Sequence, residues 1–244
     1  MRRYISLLAL VVSGTIYKVT CLLLGLAAVQ TALFYRLYRL SPEGQPAALE
    51  DIISRSGVPL AAGAAFLLLC ALLCLSGCEF SGSKLSYTLR RLAVREEITA
   101  LIWACYYTLC FFLFWVAQAM TALWLCRLYT LLADPVYWSQ QTAFLAFYRD
   151  DFLHGLLPLE ETSVYVRNLC LAAGLGLSAA CFSFKQRRGQ KSWAFLVLAA
   201  MTAVLFPREI GSFGMDLLTI FLALAAAGYA GYGILSRDWE VTAR

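Results

Sequence analysis

The chain has 244 residues, of which 61% are hydrophobic and 14% charged, with 20 Lys and Arg against 15 Asp and Glu; its mean hydropathy is +0.70. A soluble domain carries about 25% charged and about 45–50% apolar residues, so this composition leaves too few polar side chains to cover a soluble surface. It also excludes disorder, collagen, coiled coil and a secreted disulfide scaffold. The apolar residues come in solid blocks rather than in strict alternation, which argues against an outer-membrane barrel and leaves an all-α polytopic membrane protein.

A spanning helix needs about 20 largely apolar residues at about 1.5 Å rise each. Residues 1–14, with Arg2, Arg3 and an apolar run, read as a short surface helix that turns at Ser13-Gly14 into the first span, with Lys18 snorkelling. An extended first helix is the alternative; a signal peptide fits less well, because no small-x-small cleavage site is well placed. Six spans follow within one transmembrane domain over 1–244: Val19–Leu37, Val58–Cys78, Ile98–Cys126, Tyr165–Phe184, Ser192–Phe206 and Met215–Leu235. The third is 29 residues long, enough to require tilt or protrusion. The fifth has 15 residues and ends at Pro207, so Pro207–Gly214 is expected either to follow an extended helix or to re-enter the membrane.

Orientation follows from the Lys/Arg bias of the short loops. With the N-terminus inside, thirteen basic and five acidic residues face the cytoplasm, while seven basic and ten acidic ones face outward, a net of +8 against −3. Both ends are therefore expected in the cytoplasm, and the protein in a bacterial cytoplasmic membrane with lipid as its surface partner and no nucleic acid.

The chemistry inventory is sparse. The one His, His154, falls in an extracytoplasmic loop and reads as a polar loop residue. Glu96-Glu97 lacks the partner histidines of a metalloprotease, and neither a Walker lysine motif nor a Gly-x-Ser-x-Gly elbow occurs. No enzyme activity, metal or cofactor of its own is expected. Cys70, Cys74 and Cys78 recur every four positions on one helix face; a thiolate metal site would also want a carboxylate or imidazole nearby, so close helix packing is the simpler reading. No ionisable group sits near the middle of a span. The deepest polar ones include Gln30 and Gln118, candidates for a conduit or for a hydrogen bond between packed helices. A proton- or sodium-coupled carrier places a carboxylate near the midplane, so the energy for any transport would come from elsewhere.

The cytoplasmic segment before the third span is the most informative. Ser83 can cap a helix whose Leu85, Leu89 and Leu92 recur at helical spacing, with Lys84, Arg90 and Arg91 largely on other faces and Tyr87 between them. Six spans, ends inside, a short basic Gly-Ser-Lys…Tyr-Thr-Leu-Arg-Arg-Leu helix and a short fifth span with a possible re-entrant turn resemble the permease subunits of ABC-2 type transporters. The resemblance implies an exporter permease in which Ser83, Lys84, Leu85, Tyr87, Leu89, Arg90, Arg91 and Leu92 form a coupling helix. That helix would dock on a separate ABC ATPase dimer, which binds the ATP. A second copy or a related permease would complete the conduit.

The loop Arg127–Glu161 departs from that layout. It is long and apolar, and reads as one interfacial helix with Phe144, Leu145, Tyr148 and Phe152 on one face and Arg149, Asp150 and Asp151 facing away. Phe144, Tyr148 and Phe152 are candidates for an outer lid, or for an aromatic belt at headgroup level. Two other classes stay open: a substrate-binding membrane subunit of an ATP-driven importer, and a non-transporting sensor or immunity protein.

Overall fold

The structure, a computed structural model, describes residues 2–40, 48–77, 96–133, 140–158, 161–186, 190, 192–205 and 213–236. Among the described residues all regular structure is α-helical: α1 (Arg2–Leu40), α2 (Leu49–Arg55), α3 (Val58–Gly77), α4 (Glu96–Leu132), α5 (Gln140–Arg149), α6 (Asp151–Leu156), α7 (Thr162–Gln186), α8 (Ala194–Leu205) and α9 (Phe213–Leu235). Five of these, α1, α3, α4, α7 and α9, contain stretches long and apolar enough to cross a membrane. The expected fifth span, α8, is apolar but only 12 residues long, about 18 Å of helix.

The expected turn at Ser13-Gly14 does not form. α1 runs unbroken for 39 residues, because Thr15 is buried and its hydroxyl meets the Tyr106 hydroxyl at 2.7 Å, tying this part of α1 to α4. α4 is likewise overlong at 37 residues, about 55 Å, and extends six residues beyond the apolar block predicted for it before ending at Leu132.

Side-chain pairings give the helix directions. Thr15 meets Tyr106, Gln30 meets Gln118, and the Tyr38 hydroxyl donates to the Leu132 carbonyl, so α1 and α4 run parallel. Arg167 meets Asp216 and Lys185 meets Tyr229, so α7 and α9 are also parallel. Two parallel helices in sequence require the chain between them to return to its starting end. α8 makes that return, and its Thr202 and Ala203 face the same cavity as Pro59 and Ala62 in the first turns of α3.

α7 is the hub, with its largest contacts to α9 and α4. Two glycines permit this. A Cβ on Gly174 would lie 2.8 Å from the Ala223 carbonyl oxygen of α9, and one on Gly176 would lie 2.7 Å from the Thr108 Cα of α4. Small residues let helix backbones approach where lipid removes any hydrophobic drive for association. The bundle core around them includes Leu69, Leu73, Tyr107, Leu175 and Ala179; Cys70 and Cys74 are buried in it, while Cys78 lies outside the described residues.

A second core sits at the opposite end of the bundle from the start of α1. There α2, α5 and α6 fold over the finish of α1, the start of α3 and the finish of α4, burying Phe34, Leu49, Ile52, Ile53, Leu125, Leu153 and Leu156. Gly57, at φ 78°, sets the turn from α2 into α3, a left-handed conformation that glycine adopts without strain.

The outer segment differs from the single interfacial helix expected for it. It breaks at Asp150 into α5 and α6, because Asp150 is extended and caps α6, its carboxylate accepting from the Leu153 amide at 2.9 Å. The break turns the faces around: Ala146, Phe147 and Phe152 are buried, whereas Phe144 is 53% and Tyr148 56% exposed. Phe144, Tyr148 and Phe152 therefore do not share a face. Asp150, expected to face away, is buried, and so is His154, expected as a polar loop residue. Its ring stands edge-on to Tyr148 at 6.4 Å.

Candidate functional site: a cavity beneath a helical cap

α6 begins with a caged carboxylate. Asp150 caps the helix through the Leu153 amide, and after the exposed Asp151 each residue from Phe152 to Leu156 is buried. Burial pushes the Asp150 carboxyl up from its ordinary value, against the lowering effect of hydrogen bonds from the Leu153 and Phe152 amides, with the Asp151 and Glu50 charges adding to the rise. At the surface, Arg149 reaches Glu50 of α2 at 3.2 Å, with the arginine side chain 62% exposed; such a pair is worth little.

Two donors from the spanning helices hold α6 down. The Trp115 indole N–H of α4 donates to the Leu156 carbonyl at 3.1 Å, and the Asn168 Nδ2 of α7 donates to the Gly155 carbonyl at 2.9 Å. Both carbonyls lie in the last turn of α6, where helix geometry leaves acceptors without intrahelical partners. The cap is thus riveted to two helices that lie on different sides of a cavity.

That cavity encloses about 650 Å³ counted out to its mouth, between α3, α4, α7 and α8. Pro59, Ala62, Gly63 and Phe66 form one wall, Phe111, Phe114 and Trp115 a second, and Asn168, Leu171 and Leu175 a third. Among the described residues no charged side chain lines it. Of its polar groups, Trp115 is committed to Leu156 and the Thr202 hydroxyl to the Leu198 carbonyl at 2.8 Å. Asn168 is different. It is 7% exposed, and its Oδ1 has no hydrogen-bond partner. A buried acceptor left unpaired costs about 1–3 kcal/mol, so it marks a place where a donor would be favoured.

The neighbouring Arg167 takes no part in the cavity lining. Its guanidinium donates to Asp216 of α9 at 2.7 Å, and the Ser163 hydroxyl donates to the other oxygen of that carboxylate at 3.0 Å. The pair is largely shielded, with side-chain exposures of 19% and 9%, and neutralises both charges between α7 and α9.

Gln30 and Gln118 are brought together. Gln30 Nε2 donates to Gln118 Oε1 at 2.9 Å and lies 3.3 Å from the Val58 carbonyl, while Gln118 Nε2 returns a longer bond of 3.4 Å. The pair cross-links α1, α3 and α4 directly beneath the cap, in a tight space shared with Ile53, Phe152 and Leu153. The coupling-helix residues Ser83, Lys84, Leu85, Tyr87, Leu89, Arg90, Arg91 and Leu92 lie outside the described residues, as does Pro207–Ser212 of the suggested re-entrant turn. Their flanking helix ends are described: α3 finishes and α4 starts at the end of the bundle where α1 begins and α9 finishes.

Sequence reasoning missed Asn168 and the Arg167–Asp216 pair. The available signal was the polar pair Arg167-Asn168 a few residues inside an apolar block, with Asp216 at the matching depth of the last block. Compared with family models, curated proteins and solved structures, the chain finds no significant match.

Proposed function

We propose that this chain is the membrane-embedded permease subunit of an ATP-driven exporter of the ABC-2 type, crossing the membrane six times with both ends in the cytoplasm. The observation that carries the reading is where the basic 78–95 segment is tethered. It leaves α3 and enters α4 at the bundle end shared by the start of α1 and the finish of α9, opposite the acidic cap. The segment joining α3 and α4 contains Lys84, Arg90, Arg91 and Arg95 in sequence, and Lys185 lies in the last turn of α7 at the same end, whereas at the cap end Glu50 and Asp216 are matched by Arg149 and Arg167. An excess of Lys and Arg on the inner side is the arrangement that the membrane-insertion bias favours. The six-crossing count draws on the parallel course of α7 and α9, which obliges α8 to bring the chain back across the bundle.

In this reading the chain carries no reaction of its own. A separate ATPase dimer binds ATP and closes; the movement enters through the 83–92 helix, and two permeases part to open a path outward. Leu85 and Leu89 would form the apolar contact in the ATPase groove, with Arg90 and Arg91 at its rim. Replacing Leu85 and Leu89 together by Asp is expected to abolish co-purification with the ATPase while leaving the chain in the membrane. Full recovery of the complex with that variant would overturn the proposal.

A further inference from the structure

We propose that the cavity beneath α6 binds a neutral lipid alcohol from the bilayer: one long apolar chain ending in a hydroxyl, whose O–H donates to Asn168 Oδ1. Three observations select this chemistry. Among the described residues the walls are apolar and uncharged, and the guanidinium of the adjoining Arg167 is held by Asp216, so an ionic headgroup would find no counter-charge among them. The Asn168 Nδ2 is committed to Gly155 while its Oδ1 stands unpaired, so the ligand has to donate, and an ether or ester without an O–H leaves that acceptor unmet. The space is partly open, so only the hydroxyl end and the adjoining carbons of the chain need to fit inside it. At Gly63 an added Cβ would meet no atom within 4 Å, so the space reaches the α3 backbone. The chain would lie along Phe66, Phe111 and Phe114, with its hydroxyl at the rivet that fastens α6.

The test uses the full chain in phosphatidylcholine nanodiscs with no ATPase present, so its failure would leave the transporter reading untouched. The probe is hexadecanol carrying a photoreactive diazirine in its chain, with adducts mapped by mass spectrometry. Adducts are expected on the α3 and α4 residues that line the cavity. Unlabelled hexadecanol should displace the probe at least about ten-fold better than hexadecyl methyl ether, which differs by the loss of one hydrogen-bond donor. Gly63→Leu fills open space without displacing a neighbour and should cut labelling about ten-fold, as should Asn168→Leu. Tyr38→Phe removes a hydrogen bond away from the cavity and should keep it. Equal competition by the methyl ether, undiminished labelling of Gly63→Leu, or adducts spread over the lipid-facing sides of α1 and α9 would each overturn the proposal.

Discussion

The two cores of this molecule are built by different means. The bundle core relies on close backbone approach: α7 meets α4 and α9 at Gly176 and Gly174, and small residues such as Ala179 and Ala223 are fully buried there. The cap core relies on bulky aliphatic side chains, with Leu49, Ile52, Ile53, Leu153 and Leu156 essentially inaccessible, and on devices familiar from water-soluble proteins: an Asp N-cap, a left-handed Gly57 and a surface ion pair. The contrast teaches where each force operates. Burial of large apolar groups drives association only where the alternative is water, and the cap carries exposed charged side chains such as Arg149 and Asp151 beside its buried ones. Within the bundle, fit replaces that drive.

The largest expected effect breaks the bundle and spares the logic of the cap. Gly176→Leu would force side-chain atoms into the Thr108 backbone, and overpacking against backbone costs about 3 kcal/mol or more. The purified variant is expected to lose its cooperative thermal transition in detergent, whereas Gly63→Ala, which meets open space, should keep it. Next comes Ile53→Ala, which empties a fully buried site in the cap at a cost of about 3 kcal/mol. Hydrogen exchange should show protection lost across α2, α5 and α6 and retained in α4 and α7. Protection lost equally in both regions would mean that they fold as one unit.

The smallest effect sharpens the comparison, because it concerns the buried carboxylate that caps α6. Burial raises the Asp150 carboxyl in the folded cap, so the folded state holds its proton more tightly than the unfolded chain. Cap stability is therefore greatest below the ordinary carboxylate value of about 4 and declines as pH rises through the folded value. Asp150→Asn keeps a good N-cap and should flatten that pH dependence, while Asp150→Ala should cost about 1 kcal/mol from loss of the cap. The measurement is exchange protection of α6 amides, corrected for intrinsic rates, across the acid range. Protection that grows with pH would contradict the sign.

Much of the bundle was legible in the sequence because lipid imposes a simple rule. Every backbone polar group must be satisfied within the segment, so long apolar blocks become helices, and α3, α7 and α9 lie close to the blocks read for them. The cap was misread for the converse reason. Phe144, Leu145, Tyr148 and Phe152 look like one face under a continuous 3.6-residue period, and the single carboxylate of Asp150 resets that period by capping a new helix. A local side-chain bond outweighs the pattern. The cavity was illegible because its walls come from four helices, and because the orphaned Oδ1 of Asn168 is defined by what surrounds it rather than by its neighbours in the chain. Gln30 and Gln118 show the intermediate case: their depth was readable, but their mutual bond across 88 positions was not.

The short α8 has a further consequence. Its apolar length is about 18 Å, whereas the 23 residues of α9 beside it reach about 35 Å. A bundle whose greasy girdle is low on one flank cannot match a flat bilayer all the way round, and the lipids next to that flank must shorten or splay. Set in a bilayer, that flank would favour shorter acyl chains over longer ones.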